Sequence, residues 1–293
     1  PSLEKVITFR GRSDGADTWE DFLDTSNDVT AETIHEQIAA IGPDDLSDIL
    51  FTSGTTGKPK GVMTAHGQNL RAFEAWSGCV GLREGDRYLI INPFFHAFGY
   101  KAGWLSAILR GATILPQITF DVEEVPRRIE PDRITMLPGP PTIYQSILSH
   151  PDLARHDISS LRLAVTGAAA IPVELIHQMR QDLGFETVIT GYGLTETCGI
   201  VSMCREGDAA ETIATTSGRP IDGVEVRLVD SEGRDVPAGE PGEVIVRGYN
   251  VMRGYFANPE ETEKTIDKDG FLHTGDIAVA DADFNLRITD RIK

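Results

Sequence analysis

Phe51 to Gly61 read FTSGTTGKPKG, with three glycines, four hydroxyl residues and two lysines, and with Pro59 wedged between the lysines. Backbone N–H groups of a Gly-rich turn can converge on an anion, hydroxyls add donors, and a lysine supplies charge. The same composition also suits an ordinary surface loop. It is not a Walker A loop, which needs four residues between its glycines and a Ser or Thr after the Lys. Here only Thr55 and Thr56 separate Gly54 from Gly57, and Pro59 follows Lys58. Pro59 disfavours helical geometry at Lys58, so the loop is expected to join two strands rather than cap a helix. A second candidate is GYGLTET, Gly191 to Thr197. Gly191 and Gly193 let the backbone approach a flat ligand, and Tyr192 offers a ring for stacking. Thr195 offers a hydroxyl and Glu196 a hard oxygen suited to Mg²⁺. A turn leading into a helix capped by Thr195 explains the residues equally well. His96 lies among aromatic residues in PFFHAFGY, where a core histidine is the commoner outcome than a catalyst. The small residues of VTGAAAIP fit close packing, and HTGD with Asp276 reads alone as a tight turn.

These residues need a scaffold. From Ile49 the chain alternates short apolar strands (DILF, RYLIIN, ATILP, ITMLP, LRLAVTG, TVIT) with helical stretches (NLRAFEAWSGCV, KAGWLSAILR, DVEEVPRRIE, PPTIYQSIL, PVELIHQMRQDLG). That spacing predicts βαβ units and an α/β fold with a mostly parallel sheet and flanking helices. GYGLTET follows the last of these strands, and ligands in open parallel sheets sit beyond the carboxyl ends of strands. After about Ile213, VEVRLVD, GEVIVRG, FLHTGDIAVA and LRITDR predict a small antiparallel β barrel or sheet, interrupted by one helix, PEETEKTI. The expected organisation is a lead-in over 1–45 with a possible strand KVITF and a loop-like acidic stretch, an α/β ligand-binding subdomain over 46–212, and a β-rich subdomain over 213–293.

The 293 residues carry a formal net charge of −18. This argues against nucleic acid and anionic membrane surfaces as partners, and it requires any polyanionic ligand to find a local positive site. No run of about 18 apolar residues is present to span a membrane. The three cysteines, Cys79, Cys198 and Cys204, fit free thiols in a reducing, cytoplasmic compartment better than a disulfide framework.

The order of FTSGTTGKPKG, PFFHAFG, TGAAAIP, GYGLTET, GRPIDGVEVRLVD, HTGD and ITDRIK across the chain resembles the adenylate-forming superfamily of acyl-CoA synthetases, luciferases and adenylation domains. The resemblance implies ATP, Mg²⁺ and CoA as cofactor and co-substrates, and a small-molecule carboxylic acid as partner. It implies that Thr52, Ser53, Gly54, Thr55, Thr56 and Gly57 embrace phosphates, with Lys60 at the fixed lysine position and Lys58 at the variable one. Tyr192 would pack on adenine between Gly191 and Gly193, and Ala168 and Ala169 would line its other side. Thr195 would touch phosphate, Glu196 would hold Mg²⁺, Asp276 and Arg291 would take the ribose hydroxyls, and His96 would border the acyl carboxylate as a gate. FFHAFG carries no acid to pair a substrate amine, which favours a simple carboxylate. INPFFHAFGYKAG, LPGPPTIYQSIL and ATTSGRP look like actinobacterial acyl-CoA synthetases of steroid degradation acting on a bicyclic propionate. Members of the superfamily extend both upstream and downstream of the matching region, so the resemblance further implies a piece of a longer enzyme, with Lys293 at the hinge before a small C-terminal lobe.

Overall fold

A computed structural model describes residues 5–52, 59–167 and 171–292. The chain divides into two compact units, residues 1–45 and 46–293. In the first, strands β1 (Ile7–Thr8) and β2 (Asp17–Thr18) pair in parallel and precede helices α1 (Trp19–Asp24) and α2 (Ala31–Ala40). The acidic stretch expected to be loop-like is therefore partly helical. Thr18 caps α1 by accepting from the Asp21 N–H, and its own N–H and hydroxyl donate to the Asp21 carboxylate, a capping box that needs no buried face.

The second unit starts with an antiparallel hairpin, β3 (Leu46–Thr52) and β4 (Lys60–Ala65), in register from Asp48 opposite Thr64 to Thr52 opposite Lys60, with an irregularity between Leu46 and Asp48. The Gly-rich loop thus connects two strands, as Pro59 requires. Helix α3 (His66–Val80) follows and buries Ala72, Phe73, Trp76 and Val80, one apolar stripe at helical spacing. Then come β5 (Arg87–Ile90), a π-helical stretch over Phe98–Leu105 that runs into α4 (Ser106–Arg110), β6 (Thr113–Pro116) and α5 (Glu124–Asp132). Helix α6 (Pro141–Leu148) begins with proline, whose missing N–H costs nothing at that position. Strand β7 (Leu163–Thr166), helix α7 (Val173–Gln181) and strand β8 (Thr187–Tyr192) complete the alternation.

Strands β6, β5, β7 and β8 run parallel, but ITMLP does not form the full strand expected. Only Met136 bridges Tyr88 on one side and Leu163 on the other. Short β9 (Ser202–Met203) and β10 (Arg219–Pro220) extend this sheet antiparallel beyond β8, with α8 (Ala210–Thr215) between them in sequence.

The remainder is the expected antiparallel sheet, ordered β11 (Val224–Val229), β12 (Pro241–Gly248), β14 (Leu272–Ala280) and β15 (Leu286–Arg291). Strand β13 (Gly254–Tyr255) leaves this sheet and pairs with β4 of the first hairpin, and α9 (Pro259–Thr265) follows it. HTGD, which read alone suggests a tight turn, belongs to the strand that FLHTGDIAVA predicts. It lies inside β14, with Gly275 at φ +71° taking up an irregularity that a residue with Cβ tolerates poorly. A single large cluster of buried side chains spans both sheets, from Val62 and Phe73 through Tyr144 and Ile189 to Val246 and Leu286. Among the described residues no helix is long and apolar enough to cross a membrane.

Candidate active site

Two adjoining cavities lie at the carboxyl ends of β7 and β8. The larger, about 1000 Å³, is lined by apolar residues such as Phe73, Trp76, Ala102, Ile171 and Ile200 and by polar ones such as His96, Tyr192, Thr195, Glu196 and Arg291. The smaller, about 370 Å³, is lined by Thr52, Lys60, Glu196, Tyr255, Thr274 and Arg291. Leu194, Glu196 and Arg291 border both. A larger, mainly apolar cavity therefore adjoins a smaller polar one, with a carboxylate and a guanidinium lining both.

The floor between them is the backbone from Gly191 to Glu196. Close approach decides its composition. A Cβ on Gly193 would stand 2.3 Å from the carbonyl oxygen of Gly199, and one on Gly191 would stand 3.0 Å from that of Ser202. Leu194, not Thr195, occupies the capping position of the short 3₁₀ turn Thr195–Thr197, and the Leu194 N–H donates to the Thr197 hydroxyl. Thr195 is left facing the cavity.

Tyr192 donates its hydroxyl to Asp276 Oδ2 at 2.6 Å, and Arg291 Nε lies 3.4 Å from Asp276 Oδ1. The β14–β15 register sets Asp276 opposite Arg291. Burial, and then the hydrogen bond to Asp276, push the Tyr192 phenol well above its ordinary value, so it stays a neutral donor. The buried Asp276 carboxylate is thus the centre of a Tyr–Asp–Arg set at the junction of the two sheets.

Glu196 is tied twice. Its carbonyl accepts from the Met252 N–H at 2.8 Å, and its Oε1 accepts from the Tyr255 hydroxyl at 2.8 Å. Lys60 Nζ lies 3.5 Å from Glu261 Oε2 and 4.6 Å from the Tyr255 ring centroid. The Tyr255 phenol is raised by burial and by the neighbouring Glu196 charge. Thr52 ends β3 opposite Lys60, and its hydroxyl donates to the Lys60 carbonyl at 3.5 Å.

His96 is exposed, so the reading of it as a core histidine does not hold. Its Nδ1 accepts from the Phe98 N–H at 3.1 Å, which turns the ring at the start of the π-helical stretch while its side chain borders the larger cavity. Of the remaining sequence candidates, Ser53, Gly54, Thr55, Thr56, Gly57, Ala168 and Ala169 lie outside the described residues, as do Lys58 and Lys293. Tyr255, Glu261 and Thr274 were not singled out from sequence. The sequence signal for Tyr255 is the Gly-Tyr pair before a helix-starting Asn-Pro, which by itself marks only a turn.

Glu196 suits a divalent cation that arrives with a phosphate ligand. Mg²⁺ is commonly held by one or two carboxylates together with substrate phosphates. Glu196 is a single, oriented carboxylate with a second oxygen beyond the one given to Tyr255. Among the described residues there is no cluster of three or more His, Cys, Asp or Glu that would form a cage of its own.

Residues 3–256 match the family described as AMP-binding enzyme. Over its whole length the chain is 50% identical to a 3-(7a-methyl-1,5-dioxo-octahydro-1H-inden-4-yl)propanoyl:CoA ligase of Rhodococcus jostii, and it covers 55% of that protein. It spans only about half the length of the curated relatives it matches. The N-terminal domain of FACL13 from Mycobacterium tuberculosis, in an inhibitor-bound crystal structure, superposes with a TM-score of 0.77 at 30% identity, covering 89% of this chain and 66% of that one. The O-succinylbenzoate coenzyme A synthetase of Bacillus subtilis, solved with ATP and magnesium ion, superposes with a TM-score of 0.76 at 30% identity, covering 86% of this chain and 51% of that one.

Proposed function

Since this chain belongs to the AMP-binding enzyme family, we propose that it carries the nucleotide- and acid-binding part of an ATP-dependent acyl-CoA synthetase. In the first step a carboxylate oxygen attacks the α-phosphorus of ATP, the bond to the β-phosphate bridging oxygen breaks, and pyrophosphate leaves. In the second the sulfur of CoA attacks the acyl carbon and AMP leaves. The carboxylate is already a nucleophile, so the protein's work is to position reactants and to offset phosphoryl charge.

The roles divide between the two cavities. The apolar chamber takes the acyl group, with His96 beside its carboxylate. Tyr192 faces adenine, Asp276 and Arg291 take the ribose hydroxyls, and Thr195 touches phosphate. Thr52, Lys60 and the loop between them embrace the triphosphate. Glu196 would hold Mg²⁺, whose positive charge would offset that building on the phosphates. The carrying observation is that Glu196 and Arg291 border both cavities, the larger lined mainly by apolar surface and the smaller by polar groups that include Lys60. The larger cavity could accept a bulky acid, and the 50% identity to the indane-propanoyl ligase favours a steroid-derived bicyclic propionate. The net charge of −18 disfavours nucleic acid as a partner, and the free thiols suit the cytoplasm.

A pyrophosphate-release screen of the full-length enzyme with ATP, Mg²⁺ and fatty, aryl and steroid-derived acids tests the reading. The expected result is release stimulated most by the bicyclic propionate. Preference for aryl or linear acids would overturn the substrate assignment, and no release with any acid would overturn the reaction.

A further inference from the structure

The two charged groups proposed for the phosphate end come from distant parts of the chain. Lys60 begins β4, and Glu196 lies in the turn after β8. One short segment, Met252 to Phe256, fastens them together. The Met252 N–H donates to the Glu196 carbonyl at 2.8 Å, while the Arg253 and Phe256 N–H groups donate to the Met63 and Gly61 carbonyls of β4 at 2.9 and 2.7 Å. Between these backbone ties stands Tyr255, whose side chain is 5% exposed. Its hydroxyl donates to Glu196 Oε1 at 2.8 Å, and its ring faces Lys60 Nζ at 4.6 Å. The tyrosine is itself held. Its N–H donates to the Thr262 hydroxyl at 2.8 Å, and Gly254 lies against the same threonine, where a Cβ would stand 2.8 Å from Cγ2.

We propose that Tyr255 is a positioning residue for both charges of the phosphate end, its hydroxyl aiming the Glu196 carboxylate and its ring holding the Lys60 ammonium. The inference rests on the reading of the smaller cavity as the phosphate end of an ATP site. A carboxylate with one oxygen committed presents the other in a single orientation, and a group that orients a metal-binding carboxylate tunes affinity without touching the metal. The ring face attracts the ammonium through its quadrupole without neutralising it, so Lys60 stays available to an anion. Glu261, which also lies against Lys60, is on the first turn of α9 and pairs more closely with Lys264 at 2.8 Å, so a phosphate can take its place at Lys60.

Two substitutions separate the two contacts. Tyr255→Phe keeps the ring and removes the hydroxyl, whereas Tyr255→Leu removes both. ATP binding is measured by calorimetry without metal and then across a MgCl₂ titration. The hydroxyl acts through Glu196, so Tyr255→Phe is expected to need about tenfold more Mg²⁺ for half-saturation while metal-free ATP binding stays within about twofold of the unsubstituted protein. Tyr255→Leu is expected to weaken metal-free binding as well. In a double-mutant cycle Tyr255→Phe should add nothing to the Mg²⁺ deficit of Glu196→Gln, whereas a purely structural loss would add to it. The cycle therefore decides the question even if Tyr255→Phe lowers the melting temperature. An unchanged Mg²⁺ requirement in Tyr255→Phe, equal behaviour of the two variants, or additivity with Glu196→Gln would overturn the proposal. If the unsubstituted protein binds no ATP at any Mg²⁺ concentration, it is the reading of the cavity that fails, and with it the premise.

Discussion

At the scale of single residues, the site depends on a few side chains whose partners set what they can do. Glu196→Gln keeps the size and the Tyr255 hydrogen bond but removes the charge. Adenylation by the full-length enzyme should fall by at least about tenfold, or about 1.4 kcal/mol of barrier, and pyrophosphate release unchanged at limiting Mg²⁺ would refute the assignment. His96→Ala is a different kind of test. The ring is exposed and its Nδ1 accepts from the neighbouring Phe98 backbone N–H, so the melting temperature should hardly move, in line with about ±0.5 kcal/mol for surface changes. Acid turnover should change while ATP affinity stays within about threefold, a shift of under 1 kcal/mol. A variant that melts early with normal turnover would return His96 to a structural role.

At the scale of elements, the hairpin β3–β4 and the π-helical stretch are joined beneath the site by a buried polar cluster. Asp48 receives Lys101 Nζ at 3.3 Å, the Asn69 amide at 2.6 Å, the Thr64 hydroxyl at 3.0 Å and the Tyr100 hydroxyl at 3.4 Å, and Lys101 has no exposed surface. Lys101→Met leaves the Asp48 charge with hydrogen bonds but no ion partner. Breaking one side of such a pair costs about 3–5 kcal/mol, whereas replacing both sides with apolar residues costs less. Chemical denaturation should therefore show Lys101→Met less stable than Lys101→Met with Asp48→Leu, and the opposite order would show that the pair contributes little. None of this pairing could be read from the sequence, because Lys101 sits in an apolar stretch whose partner is in another element. The elements themselves were largely legible. Helix α3 shows its stripe through Ala72, Phe73, Trp76 and Val80, and β7 is a continuous apolar run, as a strand covered on both faces must be. Helix α2 was not legible because it buries none of its residues and so presents no stripe. HTGD read alone suggests a turn, because a glycine marks a turn and a strand irregularity alike, and only its place within FLHTGDIAVA points to the strand. In the site, Tyr192, Glu196 and Arg291 stood out by motif. Tyr255 did not, since it meets Glu196 across 59 residues and its significance exists only after folding.

At the scale of the whole molecule, the core carries a set of protons that folding binds tightly. Burial raises Tyr144, which is hydrogen-bonded to the Leu137 carbonyl at 2.8 Å, well above its ordinary value of 10.0, and it raises Tyr88 beside it. Burial likewise pushes the Cys198 thiol from 9.0 up to about 12, and raises Cys204 despite hydrogen bonds with Thr190 that oppose the shift. A phenol or thiol that ionises less readily in the folded chain binds its proton more tightly there than in the unfolded chain. Its contribution to stability is complete below the unfolded pKa, near 9.0 for the thiols and 10.0 for the phenols, and is lost as pH rises toward the folded values. Stability is therefore expected to be flat with respect to these groups through neutral pH and to fall steeply above about pH 10. Cys198 and Cys204, both without exposed surface, should react with a thiol reagent only as the fold opens, whereas the partly exposed Cys79 should react first. Circular dichroism across an alkaline titration, read beside thiol labelling at each pH, measures both. If the protein keeps its full denaturation midpoint at about pH 11.5, above the unfolded values of thiol and phenol alike, these buried protons do not govern its alkaline limit.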